Sequence, residues 1–250
     1  MIAITRAVPP SMNRCELTHL DRTPIDVALA AAQHEAYEAA LRSFGWTVEH
    51  LPPLPDSPDS VFVEDTAVVL DEIAIITRPG AESRRDEVDT AAAALAKHRP
   101  LARIEAPGTI DGGDVLVIGK TVYIGRSSRT NDAAIAQFER SIAPHGYRVK
   151  AIDVGGVLHL KSAVTQVGEG IIVINRAWID FNDFEAIEVD EAEPFAANAL
   201  YLGSNRVLFP EQFPRTREKL ERRGIEVFAV DASEVAKAEG ALTCCSLVVR

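Results

Sequence analysis

Two adjacent cysteines, Cys244 and Cys245, stand near the end of this 250-residue chain. A cysteine thiolate is a strong nucleophile, and it becomes a catalyst when an acid or base and charged groups lie beside it. Two neighbouring thiols on a terminal strand are more often small apolar side chains. The rest of the sequence must therefore supply partners if Cys244 is to do chemistry.

Three other stretches carry side chains suited to acid–base chemistry. Glu64-Asp65 follows an apolar run, Asp111 and Asp114 enclose two glycines, and His159 lies between leucines. Taken alone, they have ordinary interpretations: a solvated strand end, a tight turn with a G1-type bulge, and a packed core histidine. Together with a thiol they form the Cys, His and Asp set that nucleophilic catalysis uses.

Other catalytic and metal-binding motifs are absent from the sequence. There is no Cys-x-x-Cys pair, and the segment His34–Glu38 lacks the second histidine of a His-Glu-x-x-His site. There is no G-x-G-x-x-G motif, Walker A loop or G-x-S-x-G elbow. We therefore expect no metal and no organic cofactor.

Composition narrows the class of protein. The net charge of −11 argues against a nucleic-acid partner and mildly favours a cationic small substrate. Three cysteines, an odd number in a long chain, indicate reduced thiols. Met1–Pro10 lacks the pattern of a signal peptide, and no apolar run approaches the roughly 18 residues of a membrane span. We expect a cytoplasmic protein with no membrane partner.

The candidate residues stand near the starts of predicted β-hairpins. Apolar runs separated by turn residues predict four of them. The hairpins are Ala67–Leu70 with Ile73–Thr77, Asp114–Ile118 with Thr121–Ile124, Ser162–Val167 with Ile171–Asn175, and Ala199–Leu202 with Arg206–Phe209. The terminal run Leu242–Val249 is predicted to be the first strand of a fifth hairpin, whose partner is Ile2–Val8.

Helices and single strands are predicted between the hairpins, except in the third unit, which lacks a full helix. The predicted helices are Pro24–Phe44, Glu82–Ala96, Asn131–Ile142 and Pro214–Arg222. The predicted single strands are Trp46–Leu51, Leu101–Glu105, Arg148–Ile152 and Glu226–Val230.

The hairpins recur at a regular spacing. The second-strand starts Ile73, Val122 and Ile171 are 49 residues apart, and Val207 follows after 36. Five such units, closed by the N-terminal strand, predict one α/β domain over residues 1–250 with five-fold pseudosymmetry. A doubly wound sheet is the alternative, but repeated hairpins fit it poorly. In a ring, equivalent positions converge on the axis, so the thiol, imidazole and carboxylates should share one central pocket.

At these residues the sequence resembles the dimethylarginine dimethylaminohydrolases, a family of the guanidino-group-modifying (pentein) superfamily. The resemblance covers nearly the whole chain and implies a five-bladed α/β propeller, in agreement with the repeat count. It also implies a hydrolase of linear amidines, which converts dimethylarginine or monomethylarginine to L-citrulline plus dimethylamine or methylamine. The segments that carry the resemblance are Pro58–Thr66, Thr77–Arg85, Ile110–Val115, Ser128–Asn131, Leu158–Ser162 and Gly240–Ser246.

The resemblance implies catalytic roles for three residues. Cys244 matches a nucleophile that forms a covalent thiouronium intermediate, and Cys245 takes the middle place of the family's Cys-x-Ser pattern. His159 matches the general acid and base. Asp111 matches the carboxylate that supports His159, although some bacterial members have Glu at this place.

The resemblance also implies a substrate-binding set. Asp65 would pair with the guanidinium of the substrate, Arg84 and Arg129 would hold its α-carboxylate and surroundings, and Asp59 would contact its amino-acid end. The full set is Leu17, Asp59, Phe62, Glu64, Asp65, Arg84, Arg129 and Ala238.

Two alternatives stay open from the sequence. One is an arginine deiminase-like hydrolase with the same machinery, since the size of the pocket around the leaving group is not visible in the sequence. The other is a non-catalytic pentein that binds or scaffolds. The partner is expected to be a small methylated arginine, and the chain a monomer or homodimer.

Overall fold

The computed structural model describes all residues, 1–250. The strands are β1 Ile2–Thr5, β2 Thr47–His50, β3 Ala67–Val69, β4 Ala74–Ile76, β5 Leu101–Arg103, β6 Val115–Ile118, β7 Thr121–Arg126, β8 Arg148–Asp153, β9 Val164–Gly168, β10 Ile171–Ile174, β11 Glu185–Glu188, β12 Leu200–Gly203, β13 Arg206–Pro210, β14 Glu226–Val230 and β15 Leu247–Val249. The α-helices are α1 Val27–Ser43, α2 Val88–Leu95, α3 Asp132–Ile142, α4 Leu160–Ala163, α5 Pro214–Arg222 and α6 Ser233–Ala236. Short 3₁₀ turns lie at Met12–Arg14, Val63–Thr66, Glu82–Glu87, Gly112–Asp114, Ala143–His145 and Thr243–Cys245.

The strands form five separate sheets of three strands each, which we call units one to five. Units one to four are β3-β4-β5, β6-β7-β8, β9-β10-β11 and β12-β13-β14, and unit five is β15-β1-β2. In every unit the first pair of strands is antiparallel and the second pair is parallel. This repetition rules out one continuous doubly wound sheet.

The two ends of the chain close the ring in unit five. Strands β1 and β15 are antiparallel, with Ile2 opposite Val249 and Ile4 opposite Leu247. The first strands of all five units surround one central cavity. The predicted five-bladed α/β propeller and its closure by the N-terminal strand are therefore confirmed.

Local signals explain where the helices begin and end. The Asp26 carboxylate accepts hydrogen bonds from the amides of Ala28 and Leu29, both at 3.0 Å, so α1 begins at Val27 and not at Pro24. Gly45 (φ 78°) follows the end of α1 in the left-handed region that glycine adopts freely. No helix in the protein combines the length and apolar character needed to cross a membrane.

The apolar core is divided into clusters that lie between neighbouring units. Between units one and two, for example, Phe138 of α3 packs in one cluster with Val68 of β3 and Ile124 of β7. Four further clusters cover the other junctions. Because the apolar groups pack between the units, the axis of the ring is left for polar side chains.

The third unit departs from its neighbours, as expected, because no α-helix connects β10 to β11. Its third strand, β11, was not predicted. It pairs in parallel with β10, with Ile171 opposite Glu185 and Ile174 opposite Glu188. Glutamates begin and end this short segment, and Ile187 is its only fully buried residue, so the apolar pattern of a strand is nearly lost.

Two predicted elements are divided in the structure. The predicted helix Glu82–Ala96 is a 3₁₀ turn, Glu82–Glu87, followed by α2. The predicted strand Leu242–Val249 contains the 3₁₀ turn Thr243–Cys245 before β15 begins. Short helical turns also precede β3, β6 and β9, so the candidate residues lie on turns and not on strands.

Candidate active site

The strand registers define equivalent positions in the units. Ala67 and Val115 take the same place, each opposite an isoleucine of the second strand. Asp65 lies two residues before Ala67, whereas Asp114 lies one residue before Val115. Asp65 and Asp114 are therefore not at equivalent positions, because the register places these units 48 residues apart, one fewer than the 49-residue spacing predicted from the sequence. Asp65 and Asp114 therefore occupy different positions within the short helical turns that precede β3 and β6.

A small pocket, separate from the central cavity, gathers most of the predicted site. Nine of the eleven predicted residues line it: Asp59, Phe62, Asp65, Arg84, Asp111, Arg129, His159, Ala238 and Cys244. The structure thus brings the thiol, the imidazole and the carboxylates together, although they are spread over almost two hundred residues of sequence.

Leu17 and Glu64 do not line this pocket. Leu17 packs against an apolar cluster, and its neighbour Glu16 lines the pocket instead. Glu64 faces the central cavity, where its carboxylate bonds Lys161 and accepts the Thr243 hydroxyl at 2.9 Å. Because Glu64 precedes Asp65 directly, the sequence alone could not show that the two residues line different cavities.

Asp111 holds the imidazole in place. One of its carboxylate oxygens lies 3.1 Å from Nε2 of His159, and the other accepts the Gly80 amide at 2.8 Å. Asp111 and His159 are both buried. The Asp111 side chain is therefore long enough to reach the histidine.

The two glycines after Asp111 are required by close packing. A Cβ on Gly113 would lie 2.5 Å from Nδ1 of His159, and one on Gly112 would lie 2.0 Å from the Glu64 carbonyl oxygen. Neither glycine has a positive φ, so the motif is not a G1-type bulge. The Gly113 amide instead donates to Asp65 at 2.9 Å.

Asp114 is a positioning residue that was not assigned a role from the sequence. Its buried carboxylate accepts the Leu160 amide at 2.9 Å and the hydroxyls of Ser127 and Thr130 at 2.5 and 2.6 Å. Leu160 follows His159, so Asp114 fixes the segment that carries the imidazole. Its place as the second aspartate of Asp-Gly-Gly-Asp was the available signal.

Arg84 is fully engaged inside the protein. It forms ion pairs with Asp65 at 2.6 Å and Glu87 at 2.9 Å, and it donates to the carbonyl oxygens of Asp59 and Phe62. Its side chain is buried. In this state Arg84 orients Asp65 and leaves little donor capacity for a substrate carboxylate.

The charges of the pocket oppose one another. Burial favours a neutral His159, but the negative charges of Asp65, Asp114 and Asp111 raise its pKa to about 9. Burial likewise favours a neutral Asp65, but His159 and Arg84 hold its pKa at about 2. At neutral pH the pocket therefore contains an imidazolium and a carboxylate.

The two thiols differ in their surroundings. Cys244 is partly exposed and lines the pocket, whereas Cys245 is buried away from it. Burial, together with the charges of Glu64 and Asp65, raises the pKa of Cys244 well above the ordinary thiol value. Cys244 is therefore a neutral thiol in the ligand-free protein, and a cation in the pocket would promote its ionisation.

The cluster of Asp65, Asp111 and His159 is the only group of side chains in the protein whose spacing could hold a metal ion. Donor atoms of Asp65, Asp111 and His159 lie within 4.8 Å of one another. A metal ligand must have a free lone pair, and His159, with a pKa of about 9, is protonated at neutral pH. The donor set thus suits an acid–base site better than a metal site.

Asp59 lies on what we call the rim of the pocket, and its carboxylate accepts a single hydrogen bond, from the Glu16 amide at 3.1 Å. The pKa of Asp59 is raised to about 6, chiefly by burial. Four further residues line the pocket without having been predicted as site residues, although Leu158 and Gly240 stand in segments that carry the family resemblance. They are Glu16, Leu158, Glu239 and Gly240.

The ring of five three-stranded units defines the fold as that of a pentein. Two distant structures share the fold: the N-terminal domain of a cyanobacterial arginine dihydrolase (18% identity, TM-score 0.86, 100% of this chain and 97% of that one) and an amidinotransferase from Microseira wollei (16%, 0.84, 100% and 94%). At these identities the likeness shows the fold alone.

Closer relatives show the family. The family model for eukaryotic N,N dimethylarginine dimethylhydrolase matches residues 18–249. The N(G),N(G)-dimethylarginine dimethylaminohydrolase of Streptomyces coelicolor is 41% identical, over 99% of this chain and 96% of its own. A Cys-to-Ser mutant of the Pseudomonas aeruginosa enzyme, complexed with citrulline, superimposes with a TM-score of 0.92 at 37% identity, covering 98% of each chain. The chain belongs to the dimethylarginine dimethylaminohydrolase family and is a hydrolase of carbon–nitrogen bonds.

Proposed function

We propose that the protein hydrolyses dimethylarginine to L-citrulline and dimethylamine, and monomethylarginine to L-citrulline and methylamine. The observation that carries the proposal is the shared pocket of Cys244, His159 and Asp65 in a chain of this family. The names of the relatives and the citrulline bound to the Pseudomonas enzyme support the substrate class.

Asp65 supplies the contact for the guanidinium. Its pKa of about 2 keeps it ionised, and Arg84 and the Gly113 amide fix its orientation. A carboxylate has about four lone-pair sites, so Asp65 can still accept N–H groups from a planar guanidinium. Arg129, whose guanidinium donates to a single hydroxyl, is left for the substrate α-carboxylate.

The first chemical step is attack by Cys244. The bound cation offsets the negative charges that raise the thiol pKa, so the thiol releases its proton to solvent. The thiolate then bonds to the guanidinium carbon. The His159 imidazolium protonates the leaving nitrogen, and the carbon–nitrogen bond breaks to release dimethylamine. A cationic thiouronium on Cys244 and a neutral His159 remain.

The second step returns the enzyme to its starting state. Neutral His159 takes one proton from a water molecule as the water oxygen bonds to the thiouronium carbon. The carbon–sulfur bond then breaks, the second proton goes to the sulfur, and citrulline leaves. Asp111 keeps the imidazole oriented and stabilises its charge in both steps.

The site also supports a proposal for the chain as a whole. Pocket residues run from Glu16 to Cys244, so residues 1–250 act as one catalytic domain. All three cysteines are free, which suits the reducing cytoplasm. The enzyme would act as a monomer or homodimer on a small methylated arginine, without a cofactor.

Citrulline formation from dimethylarginine, monomethylarginine and arginine tests the proposal. We expect turnover of both methylarginines to exceed that of arginine, and Cys244→Ser to lower kcat by about 10³-fold or more while dimethylarginine still binds. Cys245→Ala, the matched thiol control, should change kcat less than about threefold. Preferential turnover of arginine would instead indicate a deiminase. Full activity of Cys244→Ser would refute the nucleophile.

A further inference from the structure

One segment of the N-terminal region forms part of the pocket rim. Residues 16–20, here called the strap, contribute Glu16 to the lining. The strap is an irregular, mostly exposed segment with neither helix nor strand. Its position is therefore determined by the side chains to which it is tied.

Glu239 makes the most extensive of these ties. Its carboxylate accepts the amides of three consecutive strap residues: Thr18 at 3.0 and 3.1 Å, His19 at 2.5 Å and Leu20 at 2.7 Å. Consecutive backbone N–H groups form a concave site for an anion, and an ionised acceptor strengthens the hydrogen bonds. Glu239 itself lines the pocket.

The backbone of Glu239 has an unfavourable conformation. Its φ is +58°, and only Ser204 and Asn205 share a positive φ among the non-glycine residues. Such a conformation is disfavoured for a residue with a Cβ, and it persists where the surrounding structure requires it. Gly240, which would be free to adopt it, is the next residue, so the strain lies on the residue that holds the strap.

Two further ties of the strap use groups that a substrate would need. The Glu16 amide donates to Asp59 at 3.1 Å, and Arg129 donates to the Thr18 hydroxyl at 3.1 Å. An amino-acid substrate would compete with the strap for Asp59 and Arg129. The Glu239 carboxylate binds backbone amides only, so its hold does not depend on the substrate.

We propose that Glu239 is a positioning residue that keeps the strap closed over the bound substrate while the amino-acid end of the substrate takes Asp59 and Arg129. This rests on the proposed function for the roles of Asp59 and Arg129. The tie between Glu239 and the strap exists without ligand and can be measured by itself.

The test is Glu239→Gly, studied by amide hydrogen exchange and steady-state kinetics. Glycine removes the carboxylate and relieves the backbone strain, so thermal stability should be kept or raised while the strap loosens. We expect the strap amides to exchange about tenfold faster or more, because their acceptor is lost. The KM for dimethylarginine should rise about tenfold with kcat within about threefold, because Glu239 touches no reacting group.

Ser204→Gly is the matched control. Ser204 is exposed, has a similar φ of +53° and lies in the turn between β12 and β13, outside the pocket. The change relieves the same kind of strain without removing a bond to the strap. Exchange at residues 16–20 and the KM should stay at their original values.

Glu239→Gln is the second variant, because it keeps the size and the backbone strain but loses the charge. In Glu239→Gln the strap amides should exchange at a rate between the rates in the original protein and in Glu239→Gly. Exchange at Thr18, His19 and Leu20 that is unchanged in both variants would overturn the proposal, as would equal acceleration in Ser204→Gly. If the original protein converts no methylarginine, the proposed function fails, whereas the exchange result still decides whether Glu239 holds the strap.

Discussion

The floor and the rim of the pocket are built differently. On the floor, His159, Asp65, Asp111 and Asp114 are buried, and each carboxylate has at least two hydrogen-bond partners. On the rim, the strap has no regular structure and is held chiefly by the side chains of Asp59, Arg129 and Glu239, of which only Asp59 is buried.

The contrast separates two tasks. Buried carboxylates with fixed partners hold charge in place where, in the proposed mechanism, a cation binds and a proton moves, and such an arrangement needs no reorganisation during the reaction. A rim without regular structure, held by only a few side chains, is suited to opening for substrate entry and product release. Changes on the floor should therefore lower kcat, and changes on the rim should raise KM.

Of three changes that test this contrast, Gly113→Ala should have the largest effect. Gly113 packs against the floor of the pocket. The added Cβ would lie 2.5 Å from Nδ1 of His159 and 3.0 Å from a carboxylate oxygen of Asp65. We expect a loss of about 1–3 kcal/mol in the free energy of unfolding, measured by chemical denaturation. We also expect a fall in kcat of about 100-fold, because an effect of this size follows displacement of a catalytic group by about 1 Å.

Gly155→Ala is the control for that change, because a Cβ there meets no atom within 4 Å and the φ is not positive. Its stability and kcat should stay close to the original values. If Gly113→Ala behaved like Gly155→Ala, the tight packing of the floor would have no catalytic significance.

Asp111→Asn should give the next largest effect. The amide keeps the shape of the side chain but loses a negative charge that helps raise the pKa of His159 to about 9. We expect kcat to fall about 10- to 100-fold, and the loss of activity at high pH to begin at a lower pH. Asp111→Glu, which keeps the charge, should retain the alkaline limb of the pH profile. An unchanged limb in Asp111→Asn would show that Asp111 does not set the charge of His159.

The smallest of these effects should come from Asp59 on the rim, and it should appear in the pH profile of kcat/KM. The pKa of Asp59 is raised to about 6, so its carboxyl is protonated below that pH and ionised above it. Because the ionised form would attract the cationic amino-acid end of the substrate, kcat/KM should rise as pH increases through about 6. Asp59→Asn should remove this limb through a higher KM. Persistence of the limb would assign it to another group.

The architecture was predictable where the sequence repeats. The hairpins at Ala67–Thr77 and Asp114–Ile124, and the pairing of the two chain ends, follow from apolar runs and turn residues at a regular period. The ring then implied that Cys244 and His159 meet, which the structure shows. The local sequence pattern was sufficient for units one to four, because each of them is built from consecutive segments of the chain.

The remaining features depend on contacts between distant residues. The ion pair of Arg84 with Asp65 and the tie of Glu239 to the strap leave no periodic trace in the sequence. The turn at Thr243–Cys245 replaced a predicted strand, because Asn198 accepts the Thr243 amide and donates to its hydroxyl. Strand propensity in an apolar run could not report these bonds.

The most direct measurement of the central claim is the mass of the peptide that carries Cys244 and Cys245 after acid quenching during turnover of dimethylarginine. We predict a covalent adduct at Cys244 in the original protein, the same adduct in Cys245→Ala, and none in Cys244→Ser. An adduct at Cys245, or citrulline formation at the full rate by Cys244→Ser, would contradict the assignment of the nucleophile and of the floor built around it.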